Sequence, residues 1–141
     1  MTPAQYERIK KAALAFVERG GTLISGGWGI ARTPDLGWQP RPRTDGIACA
    51  CPMSALVLAD PDTPRAGTPM EAAAALLGVV ERRVYCFANG WDGKRIINTE
   101  FQRLRAMPDD VEWFWGGVNL RHELEAMNAS ILQDDPDAYR T

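Results

Sequence analysis

Residues Thr68 to Gly93, TPMEAAAALLGVVERRVYCFANGWDG, restrict the fold more than any other part of the chain. Thr68 offers a side-chain oxygen to the free amides of a helix start, Pro69 suits the first helical position, and Met70 to Leu77 is a run of strong helix formers. Gly78 tolerates the left-handed conformation that closes a helix. Beyond it, Val80, Val84, Phe87 and Trp91 recur at intervals of four, three and four, which is one face of a second helix. The segment predicts two helices joined by a tight corner, with Leu77, Val84, Phe87 and Trp91 buried together.

The rest of the chain reads mostly as helices punctuated by glycine and proline. Pro3 to Arg19 carries Tyr6, Ile9, Ala13, Phe16 and Val17 on one side and stops at Gly20 and Gly21. Thr22 to Ser25 suits a short extended segment. Residues 22–46 as a whole, broken by Gly26, Gly27, Gly29, Pro34, Gly37, Pro40 and Pro42, read as one long loop bearing Trp28 and Trp38. A buried approach segment from Gly46 leads into a helix opening near Pro52 and ending near Asp60. After Gly93, Ile97, Phe101, Leu104 and Met107 form a further helical stripe that stops at Pro108. Val111, Trp113 and Trp115 alternate as in a strand, while the acidic start after Pro108 equally opens a helix; Gly116 and Gly117 end either one. Asn119 caps a last helix whose core face is Leu120, Leu124, Met127 and Ile131, and residues 134–141 form an acidic, frayed tail. The expected fold is mainly α: a single compact helical domain over residues 1–141, with long Gly-, Pro- and Trp-bearing loops and one or two short strands.

Composition bounds the function classes. A length of 141 residues and a hydrophobic fraction of 45% suffice for one core without metals or disulfides. The opening, MTPAQYERIKKAALAFVERGG, is charged throughout and matches neither a secretory signal nor a membrane span, so a cytoplasmic protein with no membrane partner is expected. Three cysteines cannot all pair within one chain, which favours reduced thiols over a disulfide framework. Residues 1–106 hold 14 Lys and Arg against 10 Asp and Glu, and residues 107–141 hold 2 against 8, so a mildly basic body carries an acidic end that keeps the chain soluble or shields a basic face.

Several residue sets carry chemistry. Cys49, Cys51, Cys86 and His122 make three thiolates and an imidazole suited to tetrahedral zinc, but usual structural sites bring two close ligand pairs and this set brings only one. Buried core thiols, with no metal and no cofactor, are the expectation. Cys51 directly precedes Pro52, at a helix N-terminus where the dipole stabilises a thiolate; a nucleophile also needs a base, and nothing marks an approach of His122, the only histidine. A glycine-rich phosphate loop with its lysine, a serine elbow and HExxH are all missing, so no catalytic residue is assigned and a cysteine-based or zinc-dependent enzyme stands third.

The spacing Ala74, Gly78, Val84 matches a DNA-binding helix-turn-helix over residues 68–90, and it also serves any close helix corner. Its second helix would offer Arg82, Arg83, Tyr85 and Asn89 to nucleic acid, followed by Lys94 and Arg95 at phosphates. Large aromatic rings outside the helix corner, Trp28, Trp38, Trp113 and Trp115, are candidates for contact with a protein partner, against the alternative that they close the core.

The combination CPMSAL, LGV and FANGWDG resembles uncharacterised small bacterial helical proteins in which a cysteine-led helix precedes an alanine-rich helix and a Gly-aromatic-Asp-Gly turn. The resemblance covers Cys49 to Gly93. It implies a compact, helical, bacterial-type cytoplasmic protein and no activity, substrate or catalytic residue. The reading is a non-enzymatic macromolecule-binding protein, a regulator or modulator of bacterial or phage origin that uses its Trp-bearing loops on a protein partner, with the helix-turn-helix DNA binder as the alternative.

Overall fold

The computed structural model describes residues 1–63, 67–94 and 108–140. Within them the chain runs α1 (Pro3–Glu18), β1 (Thr22–Ser25), β2 (Ile30–Thr33), β3 (Gly37–Pro40), β4 (Cys49–Ala50), α2 (Pro52–Ala59), α3 (Pro69–Leu77), α4 (Glu81–Asp92), α5 (Pro108–Ala126) and β5 (Ile131–Gln133). The architecture is mixed α/β, and the expected mainly helical fold is corrected accordingly. Three parallel strands form one sheet in the order β4-β1-β5, with Leu23 opposite both Ala50 and Ile131; β2 and β3 make a separate antiparallel hairpin.

The sequence shows β1 only as the short extended segment Thr22 to Ser25, and for a physical reason it does not show the sheet built around it. β1 lies in the middle of its sheet, and its neighbouring residues Leu23 and Ile24 are both fully buried. A parallel strand covered on both faces shows a short apolar run instead of the alternation that marks a half-exposed strand. The span 22–46, expected as one loop, thus holds β1 and the hairpin, and Trp38 points into the core from β3, where it pairs across from Arg32.

The helix corner matches its sequence closely. Thr68 caps α3 by accepting from the Glu71 amide, Pro69 opens it, and Gly78 closes it in the left-handed region at φ 67°. Leu77, Val84, Phe87 and Trp91 are buried in one cluster. Val80 departs from the expected face: it is the N-cap residue of α4 and is exposed. Val17, at the end of α1, is 36% exposed and also lies off the buried face.

α5 differs more from expectation. It runs 19 residues straight through Gly116 and Gly117, opened by Pro108 and the first-turn acids Asp109 and Asp110. A Cβ on Gly117 would collide with the Phe87 carbonyl of α4, and one on Gly90 with the Phe114 carbonyl of α5. These glycines let two helix backbones touch, and that packing outweighs a helix-propensity cost of roughly 1 kcal/mol each. Asn119 is therefore mid-helix, Met127 lies exposed beyond the helix end, and Ile131 belongs to β5.

The C-terminal segment is anchored rather than frayed. The Asp134 amide donates to the Ser25 carbonyl at 2.8 Å, Tyr139 forms a bridge with Arg43, and the Arg41 guanidinium lies 4.0 Å over the Tyr139 ring. The stripe Ile97, Phe101, Leu104 and Met107, and with it Arg95, lies outside the described residues.

Candidate functional site

A parallel sheet leaves its functional space at the carboxyl ends of the strands, and here two of those ends are closed off by helix termini. β1 runs from buried Ser25 into Gly26, Gly27, Trp28 and Gly29. β4 ends at Ala50 and leads directly into Cys51, the N-cap of α2, whose amide donates to the Trp28 carbonyl at 3.3 Å, which ties the loop to the helix start. From the opposite side the last turn of α4 arrives, held by the Trp91 indole N–H donating to the Ile24 carbonyl at 2.8 Å. The Gly26 amide then donates to Asp92 Oδ1 at 2.8 Å. Between these elements lies a cavity of about 160 Å³. Cys51, Pro52, Met53, Phe87 and Trp91 give its lining apolar surface, Trp28 and Tyr85 add aromatic rings, and Asn89, Asp92 and Lys94 bring polar groups to it.

Electrostatics divide the site. Burial raises the Asp92 carboxyl above its ordinary value, and the Gly26 hydrogen bond and the nearby cations Lys94 and Arg121 pull it back only in part. Lys94 Nζ stands 4.0 Å from Asp92 Oδ2, with its own side chain 59% exposed against 12% for Asp92. Burial also pushes the Cys51 thiol up to about 11, even though its sulfur accepts from the Ser54 amide at the helix start. Desolvation outweighs the hydrogen bonds that the first residues of α2 offer the sulfur, which favours the thiol over the thiolate at neutral pH.

The remaining sequence-predicted residues are distributed as follows. Trp28, Tyr85, Asn89 and Lys94 meet at the cavity. Trp38 and Trp113 are core residues, the latter edge-on to Phe87 with ring centroids 6.5 Å apart. Trp115 is 53% exposed on α5. Arg82 pairs with buried Asp110 at 2.8 Å and Arg83 with Asp109 at 2.9 Å, so both arginines of α4 are engaged by α5. Cys49, Cys51 and Cys86 are buried, burial holding Cys86 at about 11 and Cys49 above its usual value, while His122 is exposed on α5. Among the described residues no three His, Cys, Asp or Glu side chains are placed to hold a metal ion.

Sequence reasoning missed Asp92, Gly26, Gly27 and Met53. Asp92 reads as a turn residue beside Gly93, yet its side chain reaches across to the β1 loop. The one local signal for the loop was the apolar run Leu23-Ile24 breaking into glycines, a strand end entering a close backbone approach.

No family of known proteins, no curated sequence and no solved structure matches this chain. Among the described residues no helix is long and apolar enough to cross a membrane.

Proposed function

We propose that this protein binds a small molecule of single-ring size in the cavity at the carboxyl ends of β1 and β4. The observation that carries the reading is the position of that cavity: β1 is flanked by β4 on one side and β5 on the other, and in open parallel sheets ligands occupy the crevice outside the carboxyl ends where the strand order divides. Its size supports the reading, since engineered apolar cavities of about 150 Å³ take up benzene. So does its chemistry, an aromatic and aliphatic wall with a few polar groups that fix orientation.

Saturation-transfer NMR with benzyl alcohol and indole tests it. Both should show transfer from the wild-type protein, and Ala88→Phe, which fills the cavity from its half-buried wall, should abolish it without lowering the melting midpoint by more than a few degrees. No transfer to the wild type, or undiminished transfer to a folded Ala88→Phe variant, would overturn the proposal.

A second reading, regulatory binding of a protein partner, is favoured by one observation: Trp115 and Val111 are exposed on the same helix. Trp115→Ala should then lose a partner recovered from cell lysate in the presence of nuclease. The DNA-binding alternative would require Arg82 and Arg83 to leave Asp110 and Asp109; retention of duplex DNA that weakens with salt and is lost on replacing both arginines by alanine would support it.

A further inference from the structure

The cavity's charge pattern narrows the ligand class, resting on the reading that this cavity is the ligand site. We propose that the cavity takes a small organic ammonium, its apolar body against Trp28, Tyr85 and Phe87 and its N–H groups donating to Asp92 Oδ2.

Asp92 is the central observation. Its Oδ1 accepts the Gly26 amide, and among the described residues no group donates a hydrogen bond to Oδ2; the nearest cation, Lys94, stands at 4.0 Å. The Asp92 carboxylate, its side chain only 12% exposed, is held by one amide and one long ion pair, and burial still raises its titration above the ordinary value. An ammonium in the cavity would give Oδ2 a direct hydrogen-bond donor in place of that long ion pair. The competing reading, an anion drawn to Lys94, is weaker because the Lys94 side chain is 59% exposed and screened by solvent, whereas Asp92 acts from the low-dielectric wall.

Two further features have the same sign. Asn89, Trp91 and Asp92 line the cavity from the last turn of α4, whose C-terminal dipole end favours cations and already holds one, Arg121 Nη1 donating to the Trp91 carbonyl at 3.0 Å. The opposing N-terminal end of α2 is already occupied, since Cys51 Sγ accepts from the Ser54 amide and the Cys51 carbonyl from the Ala55 amide. Aromatic rings also attract a cation more than an anion when it lies over their faces, and Trp28 and Tyr85 are both only half-buried at this wall.

Three probes of one shape separate the outcomes: benzylamine as the cation, benzyl alcohol as the neutral isostere and benzoate as the anion, each titrated by calorimetry or ligand-observed NMR at pH 7 into the full chain. Benzylamine should bind about tenfold tighter than benzyl alcohol, and benzoate weakest. Asp92→Asn keeps an oxygen for the Gly26 amide and should bring benzylamine down to the level of benzyl alcohol in the same variant, a loss of preference for the cation that a merely structural role for Asp92 would not produce. Equal binding of all three probes, or tightest binding of benzoate, overturns the ammonium proposal while the cavity remains a ligand site. Binding of none of the three overturns both.

Discussion

Gly78 and Gly117 are the same residue placed in two regions that use it for opposite reasons. At the α3–α4 corner, Gly78 sits at φ 67° with open space where a Cβ would stand, so its role is conformational. In the α4–α5 seam, Gly117 lies within a regular helix, and a Cβ there would run into the Phe87 carbonyl and lie 2.7 Å from the Trp91 amide nitrogen, so its role is spatial. A conformational glycine leaves a local mark in the sequence, because a helix ends at it. A spatial glycine looks the same on paper and means the reverse, since the helix continues through it.

The comparison can be broken or sharpened by substitution, read as denaturation midpoints with the denaturant slope held under watch. Phe87 belongs to both regions: its ring meets Trp113 and its carbonyl faces Gly117. Phe87→Ala should cost about 3 to 5 kcal/mol; an unchanged midpoint would remove the shared core altogether. Gly117→Val should follow at about 3 kcal/mol, because its clash is with backbone that cannot swing aside. A loss below that of Gly78→Ala would show that the seam opens easily and that the spatial reading is wrong.

Gly78→Ala should cost about 1 to 2 kcal/mol, the penalty of a Cβ in the left-handed region with no contact to relieve. Smallest of the set is Gly116→Ala. The atom it meets most closely is the Met1 thioether sulfur at 2.6 Å, the far end of a flexible side chain, and the Phe87 ring follows at 3.4 Å. A helix-propensity gain of up to about 1 kcal/mol offsets that displacement, so the net change should stay within about 0.5 kcal/mol of zero. A loss as large as that of Gly117→Val would extend the tight part of the seam to the Met1 side.

The same division governs what was legible in the candidate site. Trp28 and Lys94 are visible as candidates because their types are conspicuous, and the sequence alone points them to a partner surface and to phosphates. Tyr85 and Asn89 read as part of a DNA-reading face, and in the fold they line the cavity while Arg82 and Arg83 pair with the acids of α5. Asp92 and Gly26 stand 66 positions apart and meet in one hydrogen bond. No local pattern marks such a pair.

By itself the sequence determined what nearest neighbours decide: the caps and ends of α1, α2 and α3, the corner at Gly78, and the buried set Leu77, Val84, Phe87 and Trp91. Propensity, capping and periodicity act within a few residues and are written directly in the order of the chain. Tertiary structure alone decided that Thr22 to Ser25 is the central strand, since its partners come from Cys49 and Ile131, far away on either side. It also decided that α5 passes through two glycines, because the reason lies on α4. The cavity follows from both decisions: its walls are strand ends and helix ends brought together by packing, and packing is a property of surfaces that meet in space rather than of residues that follow one another.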